Sequence, residues 1–289
     1  MTILVTGSTG TIGSQVVQRL TGQSERIRAL VRDDASKVKV PAGVEAVKGD
    51  MTDIASMRAV LKGVDTLFLL NAVAADEVTQ ALATVDLARE AGIQRVVYFS
   101  VFNSALFDDV PRFAGKYLVE RVIDAQAIPA TVLRPAYFMQ NDLMLRDALK
   151  GGIYPQPIGS VGVTMVDIRD IADAAVAELL RRERAPHPLP RTTIDLVGPE
   201  TLTGAEISAI WASVLETDIR YRGDDLSTFE SQAAGMMPGW MAHDIRLMFR
   251  AFHRFGLIPG KDSRATFEAL IGHPLRTYRA FAQEAATNW

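Results

Sequence analysis

Ile3-Leu4-Val5-Thr6-Gly7-Ser8-Thr9-Gly10-Thr11-Ile12-Gly13 decides how this chain begins to fold. A short apolar run passes straight into a glycine-rich turn. The spacing of Ile12, Val16, Val17 and Leu20 beyond it predicts an amphipathic helix. Three glycines at intervals of three meet the demands of a dinucleotide pyrophosphate. Gly7 permits the tight turn off the strand, Gly10 leaves backbone bare where phosphate approaches, and Gly13 lets the helix lie close on the sheet. The helix N-terminus adds free N–H groups and the positive end of the peptide dipoles. Such a triplet alone also fits an ordinary turn, and its place between strand and helix is what points to a nucleotide. Gly7, Ser8, Thr9, Gly10, Thr11, Ile12 and Gly13 are therefore the expected phosphate cradle.

Downstream, β-rich and helical patterns alternate. Arg26 to Val31, Val44 to Lys48, Thr66 to Leu70, Arg95 to Ser100 and Ala130 to Leu133 read as strands. Ile54 to Leu61, Val78 to Ala91 and Phe113 to Ala127 read as helices. This rhythm implies βαβ units and an α/β fold, a doubly wound parallel Rossmann sheet with helices on both faces. The unbroken apolar runs Leu67-Phe68-Leu69-Leu70 and Val96-Val97-Tyr98-Phe99 suit central strands buried on both sides. After Pro135 the regularity breaks, and Gly151, Gly152, Pro155, Pro157, Gly159 and Gly162 mark a loop-rich insertion. A strand from Thr164 to Ile168, a helix from Arg169 to Arg182 and a strand from Thr192 to Val197 follow. The remainder is mostly helical and holds all three tryptophans. The expected organisation is a dinucleotide-binding domain over residues 1–150, completed by parts of 160–200, and a smaller, mostly helical C-terminal cap over 151–289, interleaved with it.

Composition narrows the function. At 289 residues, with 48% hydrophobic and 22% charged content, the chain has an ordinary globular balance. A net charge of −3 argues against nucleic acid or an anionic membrane as partner. The absence of cysteine excludes disulfides, thiolate catalysis and cysteine-ligated metals. No apolar run reaches the length of a membrane span, and the first apolar stretch is already the glycine-loop strand rather than a leader. The expectation is a cytoplasmic protein, monomeric or homodimeric, acting on a small molecule.

A residue about twenty positions past the last motif glycine reads the adenosine ribose in such folds. An NAD site carries an acid there, whereas this chain has Val31-Arg32. A guanidinium grips a 2′-phosphate and gains little from a hydroxyl, so NADP is preferred and NAD remains possible. Asp33 and Asp34 blur this reading, since either could turn back toward the ribose. Asp50 and Met51 end the third strand where adenine would lie, with Thr52 or Asp53 able to cap the next helix. Asn71 and Ser100 end the fourth and fifth strands, facing the crevice where ligands of open α/β sheets bind.

These residues, with Gly115-Lys116-Tyr117-Leu118-Val119-Glu120, Leu133-Arg134-Pro135-Ala136-Tyr137-Phe138-Met139-Gln140-Asn141, Val166-Asp167-Ile168-Arg169-Asp170-Ile171-Ala172 and the terminal Gly272 to Phe281, resemble the NmrA-like group of atypical short-chain dehydrogenases/reductases over nearly the whole chain. The resemblance implies a Rossmann domain, NAD(P) binding, and either reductase activity or redox sensing. Short-chain dehydrogenases typically use Tyr-x-x-x-Lys, in which lysine assists proton transfer from tyrosine. None of the six tyrosines here has lysine four residues on. Reductases of the group often keep only the lysine, which makes Lys116 the candidate for the nicotinamide ribose and for proton transfer, with Ser100 as a candidate polariser of a carbonyl. Tyr137 and Phe138 are expected beside the cofactor, and Phe102, Tyr137 and Asn141 beside the substrate.

The four histidines, at 187, 243, 253 and 273, show no metal-ligand spacing, so no metal is expected. Arg246, Arg250 and Arg254 read as a solvated helix face. Met236-Met237-Pro238-Gly239-Trp240 fits either core packing or an adaptable apolar wall over a substrate, with Met237 and Trp240 as candidate contacts. The expected function is an NADP(H)-dependent reductase of a small carbonyl or quinone-like compound. The alternatives are a non-catalytic NAD(P)-sensing regulator and, disfavoured by the missing tyrosine, a nucleotide-sugar epimerase.

Overall fold

The computed structural model describes residues 1–24 and 26–289. In chain order the first elements are β1 (Thr2–Val5), α1 (Thr11–Leu20), β2 (Arg26–Val31), α2 (Asp34–Lys37), β3 (Glu45–Lys48), α3 (Ile54–Leu61), β4 (Thr66–Leu69), α4 (Glu77–Glu90), β5 (Val96–Phe99), α5 (Pro111–Ala125) and β6 (Ala130–Pro135). Then come β7 (Tyr137–Phe138), a 3-10 turn (Met139–Leu145), α6 (Arg146–Lys150), β8 (Ile153–Tyr154), β9 (Val163–Val166), α7 (Ile168–Arg184) and β10 (Thr192–Leu196). The chain ends with β11 (Thr201–Leu202), α8 (Gly204–Leu215), β12 (Arg220–Tyr221), α9 (Leu226–Ala233), α10 (Gly239–Phe255), α11 (Ser263–Ile271) and α12 (Tyr278–Thr287).

The main sheet runs β10-β6-β5-β4-β1-β2-β3. β1 lies parallel between β2 and β4, and the pairs β2–β3, β4–β5 and β5–β6 are parallel as well. The chain first winds outward from β1 to β3 and then restarts on the other side with β4. The order therefore reverses between β1 and β4, and the crevice outside that point is where open α/β sheets bind ligands. This is the doubly wound Rossmann arrangement. Every residue of β1, β4 and β5 is buried, which explains their unalternated apolar sequence.

The chain divides into two compact units. The first comprises Met1–Val101, Gly115–Arg134 and Arg169–Ile194. Its core joins Leu4, Leu67 and Leu69 of the sheet to Met57 and Leu61 of α3, Val85 and Ala88 of α4, and Ile123 of α5. Each of these side chains larger than alanine contributes about 1.5–3 kcal/mol on burial. The second unit comprises Phe102–Ala114, Pro135–Ile168 and Asp195–Trp289. It carries the small sheets β11-β9-β7 and β12-β8 and an aromatic interior. Phe249 and Phe252 of α10 stand edge-on to Tyr137, while Trp211 stacks on Trp289 at 4.9 Å. Among the described residues, no helix is long and apolar enough to cross a membrane.

α5 starts at Pro111, earlier than the apolar pattern suggests, because proline suits the first helical turn. α2 has one turn and no apolar periodicity. It exists because the Asp33 carboxylate accepts from Ser36 N at 2.8 Å and caps it.

Candidate functional site

In the first unit the glycine loop hangs between the ends of three strands. Thr6 ties it to β4: its hydroxyl donates to the Leu70 carbonyl at 2.8 Å and accepts from Leu70 N at 2.8 Å. Ser8 donates to the Leu30 carbonyl of β2 at 2.7 Å. Gly7 turns with φ +59°, a conformation that glycine adopts without strain. A Cβ on Gly13 would lie 2.1 Å from the Gly7 carbonyl oxygen, so α1 can sit on the loop only without a side chain there. Gly10 is different. It caps α1 with no side-chain hydrogen bond, is exposed, and would place a Cβ no nearer than 3.3 Å to Gly7 O. The α1 N-terminus therefore faces open space over bare backbone. Thr9 is half-buried, Thr11 exposed and Ile12 buried in the core.

Around this loop the strand ends bring Arg32, Asp50, Met51 and Asn71 to one edge of the sheet. Arg32 is exposed beyond β2, close enough to Asp33 and Asp50 to lower both carboxyls electrostatically. Both acids are engaged elsewhere. Asp33 caps α2, and Asp50 accepts from Thr52 N at 2.8 Å and Thr52 Oγ1 at 2.7 Å, bonds that hold its carboxyl below the usual range. Asp34 pairs with Lys37 at 2.7 Å, and Asp53 rather than Thr52 caps α3. Asn71 is buried, with Nδ2 3.9 Å from Met51 Sδ and Oδ1 without a hydrogen-bond partner. A buried acceptor without a protein partner can take a donor from a ligand or a water.

Ser100 and Lys116 lie at the end of β5 and on α5. The Ser100 hydroxyl donates to Glu120 Oε1, and Glu120 is buried and gripped through both oxygens by Arg134. That serine proton is committed, which leaves its oxygen as an acceptor. Lys116 Nζ contacts Glu77 Oε1 at 2.6 Å and donates to the Phe99 carbonyl at 3.2 Å. It stands 5.8 Å from the centre of the Tyr98 ring. Burial, then the charges of Glu77 and Glu120, push the Tyr98 phenol far above its usual range, so this tyrosine stays neutral. Glu77 escaped the sequence reading, and Glu120 entered it only as part of a motif without a role. An acid in a first helical turn reads as a dipole partner in water, and only the observation that a Gly115 Cβ would lie 2.5 Å from Val78 Cγ2 shows how tightly α5 meets α4 there.

The remaining candidates belong to the second unit. Tyr137 and Phe138 form β7, half-buried, with Asn141 in the turn after them and Phe102 buried. Burial, then the Asp142 charge, raise the Tyr137 phenol, against which an Asn141 hydrogen bond acts. Met236 and Trp240 are 80% and 41% exposed, so neither is a core residue, and Met237 between them is half-buried. Of Arg246, Arg250 and Arg254, read as a solvated helix face, the last two are exposed and the first is half-buried. They pair with Glu230 at 2.8 Å, pair with Asp109 at 2.7 Å, and lie over the Phe255 ring at 4.6 Å, respectively. His187 and His243 are exposed and His273 is half-buried, while His253 bonds the Pro157 carbonyl at 2.8 Å.

Beneath them Asp142 is fully buried, accepting from Tyr154 OH at 3.0 Å and from Tyr278 OH, which itself accepts from Trp211 Nε1 at 2.8 Å. Burial raises its carboxyl to about 7 despite these bonds. The folded protein thus holds a proton that the unfolded chain releases near pH 4. The stabilisation is complete below that pH and is lost as pH rises through about 7. Asp142→Asn removes the titration, so the variant's Tm minus the parent's should increase between pH 5 and pH 7.5. Scanning calorimetry across that range checks it, and parallel Tm profiles would refute it.

A parallel sheet whose order reverses beside a glycine turn and an open helix N-terminus defines a Rossmann-type protein. The chain belongs to the NmrA-like family, whose sequence profile it matches over residues 1–276. It is 32% identical to a protein of Xenophilus azovorans named NAD(P)H azoreductase, over 98% of both chains. Its fold matches that of a triphenylmethane reductase of Citrobacter sp. solved with NADP(H), at 23% identity and a TM-score of 0.86, covering 98% of this chain and 99% of that one. An NADPH-dependent quinone oxidoreductase of Escherichia coli, solved with NADPH, matches at 22% identity and a TM-score of 0.85, with the same coverage.

Proposed function

We propose that this protein is an NADP(H)-dependent reductase of a small carbonyl or quinone-like compound. The observation that carries the reading is the open N-terminus of α1 over Gly10, with Arg32 exposed beside it and its acidic neighbours engaged elsewhere. The residues fit the cofactor. Backbone N–H groups at the start of α1 suit a pyrophosphate, Arg32 a 2′-phosphate, and the orphan Asn71 Oδ1 a donor on the ligand. The names of the relatives support the same chemistry, since they reduce azo, triphenylmethane or quinone compounds with NAD(P)H. Bound at this edge, the dihydronicotinamide supplies a hydride.

Lys116 takes the polar role in this chain. An ammonium carries three donors, and Glu77 and the Phe99 carbonyl account for two. The third is available to the nicotinamide ribose or to the oxygen on which charge develops, where Nζ can release a proton. Met236 and Trp240 supply exposed apolar surface suited to a flat, conjugated acceptor.

Arg32→Ala tests the cofactor choice. Losing charge-assisted bonds to the 2′-phosphate costs about 1.5–3 kcal/mol, so NADPH affinity should fall roughly ten- to hundredfold. NADH affinity should hardly change. Titration of both cofactors into both proteins decides it, and tighter binding of NADH by the parent would overturn the preference.

A further inference from the structure

We propose that Glu77 is a positioning residue for Lys116, fixing where its one uncommitted N–H points, a role that rests on the reductase reading above. Glu77 is 7% exposed although it opens a helix, where an acid ordinarily faces water. It reaches Lys116 Nζ at 2.6 Å, while the Phe99 carbonyl holds the same nitrogen from β5 at 3.2 Å. Two fixed acceptors set the direction of the third donor. Without the carboxylate, a four-carbon stem on one carbonyl bond samples several rotamers.

A purely structural pair explains this less well. Helices α4 and α5 already meet in close contact at Gly115 and Val78, and apolar side chains in place of a buried ion pair are often as stable. The pair also sits at one particular place. Glu77 opens the helix that follows β4, and Lys116 rests on the carbonyl of the last residue of β5, both at the edge that carries the glycine loop. The charge stands where a ligand needs a directed donor and packing does not require one.

Binding of NADPH and of 2′-phospho-ADP-ribose, a fragment without nicotinamide or its ribose, separates these roles. The proteins are the parent, Glu77→Gln, Lys116→Ala and the double variant. Glu77→Gln keeps the shape and removes the charge. Glu77→Gln and Lys116→Ala should each weaken NADPH about three- to tenfold and leave the fragment within about twofold, and the double variant should bind NADPH no worse than Lys116→Ala alone. Equal losses for ligand and fragment, or a further loss from Glu77→Gln in the Lys116→Ala background, would make the pair merely structural and overturn the proposal. So would unchanged NADPH binding by Glu77→Gln, with the reductase reading left standing. If the parent binds neither molecule, the reductase reading fails first and this role falls with it.

Discussion

Gly10→Val should lose most of the protection against heat that NADPH gives the parent protein. At a concentration a hundredfold above Kd, a ligand stabilises the folded state by about 2.7 kcal/mol, and a hundredfold loss of affinity leaves about 0.4 kcal/mol. A valine at Gly10 should cause at least that loss, because its side chain would fill the space over the helix N-terminus. The fold itself should survive. Gly10 has φ −83° and ψ 177°, which valine adopts readily, and its Cβ would be tight against Gly7 O without overlapping it. The replacement should cost about 1 kcal/mol through the weaker helix cap. Gly13→Ala is the contrasting control. With a Cβ 2.1 Å from Gly7 O it should destabilise the apoprotein itself. Melting curves with and without NADPH check both, and undiminished protection of a folded Gly10→Val would remove the loop from the binding site.

The second large effect is on turnover. Lys116→Ala should lower kcat about a hundredfold, the lower range for a positioned proton donor. NADPH affinity should fall no more than about tenfold, because on the proposed reading the pyrophosphate and adenosine contacts belong to the glycine loop and Arg32. Trp240→Ala should instead raise KM for a conjugated acceptor. NADPH oxidation across a panel of quinones, aldehydes and ketones reads all three proteins. A parent that binds NADPH tightly yet oxidises it with no member of the panel would favour the dinucleotide-sensor reading over the reductase one. A comparison of proteins captured with oxidised and with reduced cofactor would then follow.

The legible part of the fold is the part whose constraints are local. β1, the glycine loop and α1 follow from neighbours within a dozen residues, and the geometry at Gly13 is the steric demand that its spacing implies. β2, a β-rich run, and α3, an apolar helical pattern, are likewise bounded to the residue, although Thr52 and Asp53 stand as equal caps for α3. Side-chain engagement was less legible. Asp33, Asp34 and Asp50 look equally free to meet a ribose until Ser36, Lys37 and Thr52 are placed beside them. The partners of Ser100 and Lys116 lie 20 and 39 residues away, on helices whose packing no short pattern encodes. Met236 and Trp240 belong to a run that suits an interior and a binding wall equally, and only their exposure rules out the interior.

The buried Glu120 bears on how such a chain diversifies. Ser100, Arg134 and Arg191 all reach it, and each lies within three residues of a point where the chain leaves the first unit, after Val101, Arg134 and Ile194. One carboxylate therefore clips together three departures. Whatever the excursions contain, they set out from ends that are already pinned. Segments beyond those ends can be lengthened, replaced or exchanged with those of a relative while the anchors keep their places. A hybrid joined at these three points should keep the fold of its first unit and the anchors around Glu120.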